Sequence, residues 1–274
     1  MSLKFKLATV VVLLSATIAV FSFPAASNWV VLFLARNDDI SVRVSAEHAD
    51  LAHELVVQAT EYNERLRKGL EARGTEDTDA AYQAALRLPD SDYMGRVVIP
   101  KINVSLNVYH GSESVSLERG AGHLYGTSLP VGGPGTHTAI SAHSGLVKSK
   151  RFSDLDRLEE GDVFILFTPD HQVHYKVDYI TVVPADSDMK ELAIVAGEDY
   201  ATLITCTPIG INTHRLLVRG VVFTPDTDFD IKTLAADPGV PWWAVIWLGP
   251  TGLATGGAIG LNKWATGGAK KKEK

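Results

Sequence analysis

The sequence predicts a mainly β protein: a closed or nearly closed barrel, with a helical segment ahead of it and a membrane-spanning stretch at each end. Three observations carry the prediction. From Met94 onward, short runs rich in Val, Ile, Tyr and Thr recur, separated by Gly, Pro and Asp clusters. Such side chains suit a pleated, half-buried surface, and many short strands with this punctuation suit a barrel. Ahead of them, residues 44–73 place apolar side chains at helical spacing. At both ends the charges vanish, over residues 7–35 and again over residues 241–262.

The first uncharged stretch, LATVVVLLSATIAVFSFPAASNWVVLFLA, follows Lys4 and Lys6. It is too long for the apolar core of a cleaved signal peptide, and no small-x-small cleavage site precedes the return of charge. About 20 apolar residues span a bilayer, so residues 1–36 read as a signal anchor. Residues 37–93 form a helical segment followed by a short acidic region. In the helix, Leu51, Leu55, Val56, Ala59, Tyr62, Asn63, Leu66 and Leu70 share a face, and Gly74 is expected to end it. GTEDTD then reads as a turn-prone break, and AAYQAALRL as one more helical turn or two.

Residues 94–230 hold the strand-like runs GRVVIPKI, LNVYHG, HTAISAH, DVFILFT, VHYKVDYITVV, YATLITC and RLLVRGVVFT. A linker over 231–240 leads to a second predicted span over 241–262. Trp242, Trp243 and Trp247 suit an interfacial belt there, and residues 263–274 form a basic tail. The glycines and Pro250 weaken a helix in this span without excluding it. GLATGGAIG is no phosphate loop, because no GK[ST] follows it. Lysines outside both spans predict a cell-membrane protein with both termini in the cytoplasm and residues 37–240 outside.

Composition narrows the function. Hydrophobic residues make up 46%, charged residues 21%, and the net charge is −6. That is the balance of a folded domain, and it argues against a general nucleic-acid binder. The chain has one cysteine, Cys206, which excludes an intramolecular disulfide and a cysteine-based zinc site.

Cys206 lies in TLITCTPIGINTHRLLVRG. It ends a strand-like run, and Pro208 and Gly210 stop that strand. Arg215 opens the next, so thiol and guanidinium should share a rim. That pairs a nucleophile with a fixed cation able to hold an oxyanion. A lone cysteine is more often a small buried hydrophobe, and a catalytic one needs a base. Among the histidines, His143 in SAHSG has the best setting, between small residues at the end of a strand-like run. HGSES and GHLYG, with His110 and His123, read as turns. His171 and His174 point to opposite faces of one strand, and His214 points away from Arg215. Ser141 and Ser144 lack the G-x-S-x-G elbow of a serine nucleophile.

Four stretches, VVIPKINVSLNVYHG, GAGHLYGTSLPVGGPGTHTAISAHSGL, FSDLDRLEEGD and TLITCTPIGINTHRLLVRG, occur in order across residues 94–224. Together they resemble the sortase transpeptidases of Gram-positive bacteria, in particular class C, the pilus-assembling sortases. The resemblance implies an eight-stranded barrel and no cofactor. It implies Cys206 as nucleophile, His143 as its acid-base partner, Arg215 as the residue that steadies substrate and oxyanion, and Thr205 as a lining residue of the same pocket. The implied reaction cleaves an LPXTG-like sorting signal between Thr and Gly through a thioester. The product is then joined to an amine, from a pilin lysine or a cell-wall precursor. The implied partners are pilins or surface proteins with such signals.

One feature departs from the class. Its usual lid carries an Asp-Pro-aromatic motif over the cysteine, and GTEDTDAAYQAALRLPDSDYMG has none. Tyr82, at helical spacing from Leu86, reads as a packing residue, so the lid reads as abbreviated and the thiol as accessible. Three other readings compete. A papain-like hydrolase would place its cysteine at a helix N-terminus with the histidine downstream, the reverse of the order here. A housekeeping sortase that anchors surface proteins to the wall shares the chemistry. A non-catalytic surface module would simply bury Cys206.

Overall fold

Residues 17, 48–70, 75–89, 91–145 and 151–226 are described in the computed structural model. Its eight strands are β1 (Gly95–Ile99), β2 (Val104–His110), β3 (Ala121–His123), β4 (Thr136–Ala142), β5 (Val163–Thr168), β6 (His171–Pro184), β7 (Asp199–Thr207) and β8 (His214–Val222). They close into a barrel in the order β1-β2-β3-β4-β7-β8-β6-β5, with β5 pairing back onto β1. Each of the seven strand-like runs supplies one strand.

The additional strand is β3, inside the stretch expected to turn. It has only the residues Ala121, Gly122 and His123, none with strong strand preference. Its neighbours make it a strand: it runs parallel to β2 and antiparallel to β4. Gly122 is required there, because a Cβ would lie 2.1 Å from the Gly111 carbonyl oxygen.

Side-chain alternation sorts the barrel into two faces. Inward, Ile140, Ala142, Leu203, Leu216 and Val218 join Ile99, Phe164 and Tyr175 in the main core. Outward, Ala139, Val183, Ile204 and Leu217 form a separate apolar patch. Met189 and Leu192, from the β6–β7 connection, pack against it.

The amphipathic helix is α1 (Ala49–Arg67), which packs Ala52, Leu55, Ala59 and Tyr62 into the main core. Asn63 docks it: its amide donates to the Leu129 carbonyl at 3.0 Å and accepts from the Leu129 N–H at 2.7 Å. The helix ends at Arg67, and Gly69 just past its cap forms the stop expected at Gly74. Gly69 takes φ +70, its N–H reaches the Leu66 carbonyl at 2.9 Å and the Leu70 N–H reaches the Arg65 carbonyl at 2.9 Å. These two bonds form a Schellman stop, so Leu70 leaves the helical face and is exposed.

Two short helices follow, α2 (Ala80–Ala84) and α3 (Ser114–Arg119). The first is the extra turn expected in AAYQAALRL; the second was not expected. Tyr82 of α2 is fully buried. Its hydroxyl accepts from the Gly111 N–H at 2.9 Å and meets Nδ1 of His123 at 3.0 Å. Asp79 accepts from the Tyr82 N–H at 2.9 Å and from the Tyr125 hydroxyl at 3.0 Å. The acidic segment ahead of the barrel is therefore strapped to the barrel wall. No helix among the described residues is long and apolar enough to cross a membrane. Apart from Thr17, the stretches 7–35 and 241–262 lie outside the described residues.

Candidate active site

Strand register assembles the site. β7 and β8 are antiparallel, with Cys206 opposite Arg215 and Ile204 opposite Leu217. On the far side of β8, Arg215 stands opposite Val183 of β6. β4 runs parallel to β7, and their last paired residues are Ser141 and Ile204. Extending that register past the end of β4 brings His143 level with Cys206. Ala139, Ile204 and Leu217 share the outward patch. Alternation from them puts His143, Cys206 and Arg215 on that same outward face. Imidazole, thiol and guanidinium thus belong to three adjacent chain segments, at one level. All three residues are half-buried.

Two hydroxyls hold the segments together where the main-chain ladder has ended. Thr205 Oγ1 donates to the Ala142 carbonyl at 2.8 Å. Ser144 Oγ donates to the Cys206 carbonyl at 2.7 Å. They flank His143 on one segment and attach at Thr205 and Cys206 on the other. Thr205 was expected to line the pocket of the cysteine. It borders the cavity beside Cys206, on the inward face, with its hydroxyl proton committed to the Ala142 carbonyl. Ser144, rejected as a nucleophile, has the positioning contact that sequence reasoning missed. Its only signal was its place beside His143.

Gly145 completes the turn after the histidine. It has φ +73, and a Cβ there would lie 2.5 Å from Cγ2 of Ile209. Glycine thus lets this turn pass close to the β7–β8 loop. Arg215 is held by that loop: Nη1 donates to the Asn212 carbonyl at 3.1 Å and to the His214 carbonyl at 3.0 Å. These bonds orient the guanidinium and leave its other N–H groups for a ligand.

The remaining candidate histidines have other employment. His123 is fully buried, its Nε2 lies 2.8 Å from the Ser128 carbonyl, and burial pushes its pKa down to about 4. His110 is likewise pushed down to about 4 by burial, with Nε2 at 2.8 Å from the Ala85 carbonyl. His137 is wedged between Ala193 and Thr202, at 3.0 and 2.8 Å. His214 is exposed. Among the described residues no group of three His, Cys, Asp or Glu side chains is arranged to hold a metal ion. The arrangement at Cys206 suits acyl transfer: a nucleophile, a proton carrier, and a cation fixed for the oxyanion.

A cavity of about 250 Å³ opens beside Cys206, between the β7–β8 loop and the segment around Phe152. No residue of the strapped segment 75–89 lines it.

Residues 97–222 match the family described as the Sortase domain. The chain is similar to the crystal structure of sortase C1 from Streptococcus agalactiae, at 42% identity and a TM-score of 0.60, covering 64% of this chain and 90% of that one. It is similar to sortase C-1 from Actinomyces oris at 40% identity and a TM-score of 0.57, covering 64% and 99%. It is also similar to Clostridium perfringens sortase C, solved with the C-terminal cell wall sorting motif, at 40% identity and a TM-score of 0.57, covering 67% and 93%. Sortase A of Bacillus anthracis is 28% identical over 175 residues, which cover 64% of this chain and 81% of that protein.

Proposed function

The chain belongs to the sortase family of cysteine transpeptidases, and we propose that it works as a class C enzyme, cleaving an LPXTG-like sorting signal between Thr and Gly and joining the product to a pilin lysine. The observation that carries the residue assignment is the alignment of His143, Cys206 and Arg215 on one face of three adjacent segments. Similarity to the pilus-related sortase C of Group B Streptococcus, at 40% identity and a TM-score of 0.56, supports the pilin substrate.

In the first half-reaction the Cys206 thiolate attacks the threonine carbonyl carbon. Arg215 holds the oxyanion, and the imidazolium of His143 gives its proton to the departing glycine amine. The C–N bond breaks and a thioester remains. In the second, the lone pair of a neutral lysine amine attacks the thioester carbonyl. The nitrogen loses a proton to His143, the C–S bond breaks, and the thiolate with its imidazolium is restored. The uncharged stretches 7–35 and 241–262, with lysines outside each, support a membrane location with the barrel outside the cell and both termini in the cytoplasm.

The test is to incubate the detergent-solubilised chain with an LPXTG-type peptide, quench in acid and measure its mass. An acyl adduct on Cys206 is expected, absent in Cys206→Ala with an unchanged melting temperature. A well-folded wild-type chain that never acylates, or a Cys206→Ala variant that still transfers, would overturn the assignment.

A further inference from the structure

The cavity beside Cys206 differs in kind from the face that bears the catalytic groups. Thr205 and Leu216 are opposite each other in the β7–β8 register, one step from the Cys206–Arg215 pair. They line the cavity, and Leu216 belongs to the main core. The cavity therefore lies at the inward side of the strand ends, whereas His143, Cys206 and Arg215 belong to the outward side. A peptide acylating Cys206 must lie where imidazole and guanidinium can reach its carbonyl, on the outward side of the strand ends. Once the thioester has formed, that side is occupied. The inward cavity is the remaining approach to the same carbonyl.

The chemistry of its walls is specific. Phe152, Pro208, Ile209 and Leu216 make them apolar, and apart from the thiol the ionisable group among them is Asp156. Three of the four neighbouring hydroxyls are engaged: Ser144 with the Cys206 carbonyl, Thr205 with the Ala142 carbonyl, and Ser153 with the Gly145 N–H at 2.9 Å; the fourth, on Thr207, is uncharged. Asp156 has neither a hydrogen bond nor an ion pair with another described residue. Its neighbour Arg157 pairs instead with Asp154, at 3.8 Å. An apolar pocket with one carboxylate at its exposed edge matches a chain of methylenes that ends in an ammonium group.

We infer that this cavity is the binding site of the second substrate, an alkylammonium nucleophile, and that Asp156 selects it by its charge. The inference rests on the sortase reading and names its amine. Asp156 holds the ammonium at the cavity, where a proton is lost to solvent. The neutral amine then forms the C–N bond, passes a second proton to His143 and displaces the Cys206 thiolate.

The experiment separates the two half-reactions in the full, detergent-solubilised chain. Acylation is followed by quenched mass spectrometry. Partition of the acyl-enzyme between hydrolysis and amide formation is followed with two nucleophiles, Nα-acetyl-lysine amide and hydroxylamine, the second small and uncharged near neutral pH. Asp156→Asn should leave acylation and the hydroxylamine partition unchanged and lower the lysine partition about fivefold, the scale of a solvent-exposed ion pair. Asp156→Glu should restore most of the loss. A lysine partition indistinguishable from wild type would overturn the inference, since the Asp156 charge would then play no part in selecting the amine. An equal loss with both nucleophiles would overturn it too, by showing a general defect. Failure of the sortase reading would be seen earlier and separately, as a wild-type chain that forms no acyl-enzyme.

Discussion

Removing the Ser144 hydroxyl tests whether the register of His143 and Cys206 is held by side chains. In Ser144→Ala the bond to the Cys206 carbonyl, 2.7 Å long in the native chain, is lost, while the imidazole, thiol and guanidinium remain. One such hydrogen bond is worth about 1 kcal/mol net. The β4–β7 ladder stops at Ser141 and Ile204, so past it the Ser144 bond and the Thr205 bond to Ala142 tie this segment to β7, while the Phe152 N–H to His143 carbonyl and Gly145 N–H to Ser153 bonds tie it on its other side. If that energy separates the aligned arrangement from a frayed one, the aligned population falls by up to about fivefold. The loss should appear in the single-turnover acylation rate at saturating peptide, with the peptide concentration for half-saturation little changed, because the missing contact touches the catalytic segment and not the substrate. Ser144→Thr keeps a hydroxyl at the same point and should recover most of the rate. The assay is quenched-flow mass spectrometry of the acyl-enzyme, beside a thermal melt. A variant that melts lower but acylates at the wild-type rate would refute the reasoning, because the hydroxyl would then be only a structural tie.

Arg215→Lys should lower acylation about a hundredfold with the fold intact. Lysine keeps the charge but loses the planar fork that the Asn212 and His214 carbonyls orient, and loss of one oxyanion donor has this scale; near-normal turnover would make Arg215 a distant charge only. Tyr82→Ala should destabilise the chain by about 4 kcal/mol, since a fully buried ring is deleted and the Gly111 N–H loses its acceptor; it should not speed alkylation of Cys206, and a large increase in that rate would show that the strapped segment covers the thiol after all. Acid should weaken the fold through His110 and His123. Both are held near 4 by burial and bind protons readily once unfolded, so their stabilisation is complete above about pH 6.5 and falls away towards pH 4, by about 3 kcal/mol each. Urea melts between pH 7 and pH 4.5 should show the slope, and His123→Asn should flatten it; an unchanged slope would mean that His123 is not held neutral in the fold.

The sequence by itself determined the strand count nearly in full, the docking helix, and the placing of Cys206 at the end of one strand with Arg215 at the start of the next. Branched and aromatic runs with Gly and Pro between them carry local information, and local information reaches as far as the element that contains it. It failed where neighbours overrule propensity. Ala121–His123 becomes a strand only because β2 and β4 flank it, and α1 ends at Arg67 because two particular carbonyls receive the Gly69 and Leu70 N–H groups. The same limit applies to the site. Alternation along YATLITC indicates that Cys206 and Ile204 share a face, but not which strand lies beside them. The closed barrel decided that, by placing β4 parallel to β7 although some sixty residues separate them in the chain, so that His143 falls level with Cys206. It also decided what each hydroxyl and carboxylate does. Thr205 faces Ala142, Ser144 reaches the Cys206 carbonyl, and Asp156 is left facing a cavity, because those outcomes depend on distances between segments that no spacing in the sequence encodes.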